Sequence, residues 1–288
     1  MNITHAPHEL AAAERAVALG TFDGVHRGHL AVVEAARALG LRTTVVTFDP
    51  HPRTVLGNRV ELLSTLERRL ELLADAGVED TLVVEFTDEV ARLEPEAFAD
   101  SYLRAIGARG IAVGENFRFG RGAAGDAALL RELGFDVRTV PLVEGVSSTR
   151  IRTLLAAGDV RGAAQLLGRP AEVEGLVVLG DQRGGTLGFP TANLDVPADV
   201  FVPAFGIYAG SALGHRAAVS IGVNPHYGGA ERRIEPHLLD FEGDLYGRRL
   251  AVELWSRLRD ERAFGSEEEL IAQIERDVEA TRAAIRPV

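Results

Sequence analysis

A chain of 288 residues, 46% hydrophobic and 25% charged, is about twice the usual domain length, so two domains are expected, each large enough to bury a core. It contains no cysteine and no lysine, and all 31 basic residues are arginine, which excludes disulfides, thiolate metal sites, cysteine nucleophiles, Schiff-base chemistry and any lysine clamp on phosphate. A net charge of -11 argues against nucleic acid as a partner, and with neither a membrane-length apolar run nor a basic-then-apolar leader the expected protein is cytoplasmic, with no membrane partner.

Residues 1–14 carry little pattern. Residues 16–19 (AVAL) read as a short apolar strand, and Ala31, Val32, Val33, Ala35, Ala36 and Leu39 then return at helical spacing, with Gly40 as the expected C-terminal cap. Between them lies LGTFDGVHRGHL, residues 19–30, which puts His26, Gly28 and His29 just before and inside the first turn of a helix. A helix start presents unpaired backbone N–H groups and the positive end of the peptide dipole, so it suits a phosphate. On spacing alone, His-x-Gly-His reads equally well as two surface histidines.

Residues 42–48 form a second strand, ending in Asp49, Pro50, His51 and Pro52. Strand ends of open α/β sheets bind ligands, although the segment is also an ordinary proline turn. Ser64, Thr65, Leu66 and Glu67 have capping-box spacing, and Leu66, Leu70 and Leu73 mark one face of a helix that stops near Gly77. A third strand spans residues 80–86. Pro95 opens a helix with Phe98, Tyr102, Leu103 and Ile106 inward and Gly107 at its end. A fourth strand, 109–113, runs into the glycine and arginine loop GENFRFGRG, residues 114–122, which carries Asn116 and Phe117. A helix at 127–133 and a strand at 135–140 follow. Five strands alternating with helices imply a doubly wound parallel sheet covered on both faces.

The run SSTRIR, residues 147–152, opens a further helix with Ser147, Ser148, Thr149 and Arg150; taken alone, it is a well-capped helix with exposed arginines. A helix from Asp159 to Gly168 closes the region. After Pro170 the texture changes to short runs at 174–179, 206–213, 216–221, 234–241 and 249–258, divided by Gly, Pro and Asn, which predict a small antiparallel barrel. Residues 266–285 return to helical period. The expected boundary lies near Arg169, giving domains of residues 1–169 and 170–288. Within the second, GDQRGGTLGFPTANL, residues 180–194, has glycines, among them Gly184 and Gly188, that let backbone amides approach phosphates. Thr191 and Asn193 add neutral oxygens of the kind that help bind a magnesium nucleotide. Taken by itself, the stretch is a glycine turn.

Two strings carry a resemblance. GTFDGVHRGH, from Gly20 through Phe22, Gly24, His26 and Gly28 to His29, resembles the HxGH signature of nucleotidyltransferases and, within it, the flavin-adenylating branch. LGFPTANL resembles the signature of bacterial riboflavin kinases, and GIYAG (206–210), SIG (220–222) and HLLDF (237–241) follow in that family's order. From Gly20 to Arg282 the chain therefore resembles the bifunctional riboflavin kinase/FMN adenylyltransferases, the prokaryotic FAD synthetase family.

The resemblance implies an N-terminal α/β nucleotidyltransferase domain that joins FMN to the α-phosphate of ATP, giving FAD and pyrophosphate. There Gly20, Phe22, Gly24, His26, Gly28 and His29, with Ser147, Ser148, Thr149 and Arg150, would hold the polyphosphate, and Pro50, His51, Pro52, Asn116 and Phe117 the flavin. It implies a C-terminal barrel that phosphorylates riboflavin, with Glu235 as general base, Gly184, Gly188, Thr191 and Asn193 on the nucleotide, and Mg2+ at Thr191 and Asn193. Riboflavin, FMN and ATP would be the partners, and a homo-oligomer is left open. The chain departs from the kinase pattern at Gly185, at His226 and Tyr227, and at Pro236, which lacks a ladder donor and sets Glu235 on a strand edge or at a bulge. Two other readings stay open: an enzyme with the adenylyltransferase alone, whose barrel only binds flavin, and a flavin-sensing regulator without catalysis.

Overall fold

A computed structural model describes residues 1–180, 188–224 and 231–288. Gly184, and with it Gly185, His226 and Tyr227, lies outside the described residues. The chain packs as two compact units, Met1–Ser147 and Ser148–Val288, each taken here by itself.

The first unit is built on a parallel sheet of six strands: β1 (Asn2–Thr4), β2 (Arg15–Leu19), β3 (Arg42–Asp49), β4 (Asp80–Glu85), β5 (Ala108–Gly114) and β6 (Asp136–Val140), in the order β1-β4-β3-β2-β5-β6. Every residue of β2 is buried, as its apolar run requires for a central strand. Five strands are expected from the sequence and six are found. The extra one, β1, is a three-residue edge strand in the lead-in, too short to show a period.

Around the sheet lie α1 (Arg27–Arg37), α2 (Pro52–Val55), α3 (Leu66–Asp75), α4 (Asp88–Ala91), α5 (Pro95–Phe98, continued as a π-helical stretch Ala99–Arg104) and α6 (Ala127–Glu132). Two details differ from expectation. Helix α1 is capped at Ala38, with Gly40 two residues later at φ 70°, and α3 is capped by Thr65, whose side chain accepts from Arg68 N–H. The second shift moves the buried face of α3 round to Arg69, Leu72 and Leu73.

The second unit begins with α7 (Ser148–Ala156) and α8 (Val160–Leu167); Asp159 caps α8 at its start and Gly168, in the left-handed conformation, ends it. Among the described residues six antiparallel strands follow: β7 (Ala171–Val178), β8 (Asn193–Asp195), β9 (Gly206–Ala212), β10 (His215–Asn224), β11 (Glu231–Leu238) and β12 (Arg249–Arg259). Their order is β11-β10-β9-β12-β7-β8, and the two outer strands approach each other through Ala192 N–H donating to the Pro236 carbonyl at 3.0 Å, so the barrel is nearly closed. At Gly210 the β12 backbone runs so near that any side chain would strike the Glu253 carbonyl, next to an irregularity in the β9–β12 register. Helix α9 (Glu267–Ala283), capped by Ser266, is fixed by Asp277, which takes three hydrogen bonds from the Arg259 guanidinium at 2.7 to 3.1 Å.

Candidate functional site

In the first unit, the strand order reverses direction between β2 and β5, the point at which an open parallel sheet leaves a crevice beyond its carboxyl ends. The turn after β2 carries His26 and His29, the turn after β3 carries Pro50 and His51, and the loop after β5 carries Asn116 and Phe117, so the expected phosphate and flavin residues leave the sheet at one edge.

The turn from Gly20 to His26 is contorted and packed. Phe22, Gly24 and Val25 have φ of 52°, 76° and 38°, and Phe22, Asp23 and Val25 are almost wholly buried. A β-carbon at Gly24 would lie 2.7 Å from that of Leu63, and Leu63 N–H donates to Asp23 Oδ1 at 2.7 Å. Such a backbone, held against solvent by its own side chains, is the arrangement expected where a turn is shaped for a ligand.

His26 is the N-cap of α1, with Nδ1 accepting from His29 N–H at 3.3 Å. Because Nδ1 accepts, the proton of the neutral ring sits on Nε2, where it can be donated. The two imidazoles stack with centroids 3.6 Å apart and planes 13° from parallel, and Phe22 lies 5.3 Å from His29. A β-carbon at Gly28 would stand 3.1 Å from His26 Cε1, so the glycine of the motif makes room for the stacked ring. Gly20 is less demanding: an added β-carbon meets only the Phe22 ring, at 3.4 Å.

His51 repeats the device, capping α2 with Nδ1 accepting from Arg53 N–H at 3.2 Å. Pro50 is exposed, Pro52 half-buried, and the Asp49–Pro50 peptide is cis. Asn116 is exposed. Phe117 is half-buried and stacks on Phe119 (5.7 Å, 16°), which is itself packed against Phe98. The Val146 side chain stands 3.9 Å from the β-carbon position of Gly28, which brings the backbone just before Ser147 close to the first turn of α1. In the second unit Ser148 starts α7; Thr149 and Arg150 are exposed in its first turn, with Ile151 buried beneath.

In the barrel, Glu235 sits on β11 opposite Ser220, half-buried, with Arg233 Nη1 3.4 Å from its Oε1. It shares a face with Arg233 and His237, while Ile234, Pro236 and Leu238 are buried on the other. The register is regular through Pro236, which pairs with Val219, so the proline marks an edge strand and no bulge. Across the near-closure, His237 Nδ1 donates to the Pro190 carbonyl at 2.7 Å and its ring meets Phe189 edge-on. This bond ties the strand of Glu235 to the segment holding Thr191 and Asn193, both half-buried. Gly188 stands at φ 86°, and a β-carbon at Gly180 would displace the Asn193 amide.

Two residues of this region were not singled out from sequence, His237 as the tie and Glu261 as a second carboxylate. A side chain at Gly222 would collide with Glu261. Burial pushes the Glu261 carboxyl above the usual glutamate range; Arg259 opposes this and the charge of Glu235 adds to it. Only the missing side chain of Gly222 hints at Glu261 in the sequence, because nothing in the spacing joins β10 to the segment after β12.

Among the described residues no cluster of three acidic or histidine side chains is placed to hold a metal ion. Thr191 and Asn193 offer neutral side-chain oxygens that would join nucleotide phosphates and water around a magnesium ion.

The comparisons agree with this layout. Residues 9–153 match the FAD synthetase family model and residues 167–285 the riboflavin kinase model. Curated proteins named bifunctional riboflavin kinase/FMN adenylyltransferase from Listeria monocytogenes and Escherichia coli are each 38% identical, over 93% and 96% of this chain and 92% and 93% of theirs. A crystal structure from Streptococcus pneumoniae, of a protein named as a macrolide-efflux protein, matches with a TM-score of 0.86 at 32% identity, over 97% of this chain and 98% of that one. Its name speaks of transport, yet no helix among the described residues here is long and apolar enough to cross a membrane. Two domain models in the right order and relatives alike from end to end settle the matter: this chain belongs to the bifunctional riboflavin kinase/FMN adenylyltransferase family.

Proposed function

We propose that the chain carries out both activities of its family, phosphorylating riboflavin to FMN in the barrel and adenylylating FMN to FAD in the α/β unit, with ATP as co-substrate of each. The observation that carries the second step is the stacked His26–His29 pair on the first turn of α1, with His26 Nδ1 accepting from His29 N–H. In adenylylation the FMN phosphate, already an anion, attacks the α-phosphorus of ATP and pyrophosphate leaves. No base is required, and catalysis is positioning plus charge stabilisation. The two imidazoles and the first amides of α1 donate to the phosphates, and the family resemblance gives Ser147, Ser148, Thr149 and Arg150 a phosphate-binding role. Pro50, His51, Pro52, Asn116 and Phe117 flank the flavin.

The kinase step needs more, because its nucleophile is a neutral ribityl hydroxyl. Glu235 takes that proton as the oxygen attacks the γ-phosphorus and ADP leaves. Thr191 and Asn193 would hold Mg2+ on the nucleotide, and the ion would neutralise charge on the transferred phosphoryl group. A cysteine-free, acidic chain that consumes ATP fits the cytoplasm, with small flavins and nucleotides, and no nucleic acid, as its partners. Incubation of the purified protein with riboflavin, ATP and magnesium, followed by chromatography of the flavins, tests the reading. FMN and then FAD are expected. Turnover of supplied FMN without use of riboflavin would leave only the adenylyltransferase, and unchanged flavin in both assays would mean a binding protein.

A further inference from the structure

The buried face of α3 contains an arginine where a leucine would be the ordinary choice. Arg69 is fully buried; Nη1 donates to the Phe48 carbonyl at 3.0 Å, while Nε and Nη2 are buried with no hydrogen-bond partner. Hiding a guanidinium with two donors unmet is costly, and a hydrophobic side chain of similar volume commonly does as well or better for stability. A purely structural reason for this residue is therefore weak.

Its surroundings supply another. Phe48 precedes Asp49 at the end of β3, and Asp49 leads directly into Pro50 and His51. Asp23 lies in the turn after β2, three residues before His26. Burial lowers the Arg69 guanidinium from the usual arginine value, and the charges of Asp23 and Asp49 act against that loss. The turn after β2 is also tied to β3 by Thr47 Oγ1 donating to the Thr21 carbonyl at 3.1 Å, and to the segment before α3 by Leu63 N–H donating to Asp23 Oδ1. One buried cation thus stands behind both turns and within electrostatic reach of one carboxylate from each.

We infer that Arg69 is a positioning residue for FMN adenylylation, holding the turn of His26 and His29 and the turn of Pro50 and His51 at a fixed separation through Asp23, Asp49 and the Phe48 carbonyl. The inference rests on the proposed roles of those turns in holding ATP and FMN. Because the reactants must approach in line, a small drift between the turns lowers kcat while each substrate still binds.

Arg69→Met, Arg69→Lys and His29→Ala in the full chain, assayed for FMN-to-FAD and riboflavin-to-FMN conversion with thermal unfolding in parallel, test it. Arg69→Met is expected to lose about tenfold or more in adenylylation kcat, with KM for ATP and FMN changed by no more than about threefold and the kinase within about twofold of wild type. Arg69→Lys, which restores a cation between the carboxylates, is expected to recover part of that kcat. If Arg69→Met does not fold, Arg69→Lys decides: a lowered adenylylation kcat with the kinase intact supports the role, and an unchanged kcat overturns it. Adenylylation within about twofold of wild type in Arg69→Met, or a Lys variant no better than Met at equal thermal midpoint, overturns it also. Full adenylylation in His29→Ala would instead sink the reading of the turns themselves, whereas loss there with none in Arg69→Met would sink Arg69 alone.

Discussion

His26 does two things with one ring. Its Nδ1 closes the first turn of α1 by accepting His29 N–H, and that commitment fixes which nitrogen keeps the proton. His29 lies parallel to it at 3.6 Å, and on the proposed reading the two rings serve the same triphosphate. His29→Ala is expected to lower FAD formation from supplied FMN by about 100-fold or more, the usual scale for removing a donor to a reacting phosphate or oxyanion, with riboflavin phosphorylation unchanged. Steady-state rates of the two half-reactions check it. Glu235→Ala is the mirror case: removing a general base from attack by an alcohol costs about 100-fold or more in FMN formation and leaves FMN-to-FAD conversion intact. Parallel loss of both activities in either variant would contradict the assignment.

At the scale of elements, the sheet is tied at both ends by different means. At the amino ends of its strands, Arg15 and Arg42 from β2 and β3 converge on Asp80 of β4. Arg42 donates at 2.6 and 3.0 Å, and Arg15 at 3.3 Å while also reaching the Ile106 and Ala11 carbonyls at 2.6 Å. Arg15 and Asp80 have side chains only 2% exposed, so Asp80→Asn would strand a buried cation, and a loss of about 3 kcal/mol from the first unit's urea transition is expected. An unchanged midpoint would show that the backbone carbonyls around Arg15 suffice. The carboxyl ends carry instead the two turns and Arg69.

This contrast explains what the sequence could show. Apolar runs and periodicity located β2 to β6 and the barrel strands β9 to β12, and the residue types at Asp159 and Gly168 located both caps of α8. They missed β1 and did not separate out β8, three residues each and held by pairing partners remote in the chain. The HxGH and PTAN strings were legible because a turn dictates residue types locally, as Gly28 does for the stacked rings. Arg69, His237 and Glu261 were not, since each acts on a segment from another part of the chain. An arginine on a leucine-rich helix looks like surface until the cap at Thr65 turns it inward.

For the molecule as a whole, the absence of lysine gives arginine every cationic role, and several of those arginines hold carboxylates below their ordinary range. At Asp80 burial pushes the carboxyl up, but Arg42 and Arg15 outweigh it. At Glu253 burial likewise pushes up, and Arg286 and Trp255 pull it below the usual glutamate value. A carboxyl depressed in the folded state adds stability that is fully present above its unfolded pKa and lost as pH falls through the folded one. Both units are therefore expected to keep their stability at neutral pH and to lose it progressively below about pH 4. Unfolding midpoints measured across acid pH check this, and flat midpoints from pH 6 to about 3 would contradict it.

The central claim is that the two ends of this chain do separate chemistry on one vitamin. It is tested most directly by mixing Glu235→Ala with His29→Ala and supplying riboflavin, ATP and magnesium. Neither variant alone should make FAD from riboflavin, and the mixture should, with FMN accumulating first from the His29→Ala protein. No FAD from the mixture, or failure of the Glu235→Ala protein to adenylylate FMN supplied directly, would contradict the account.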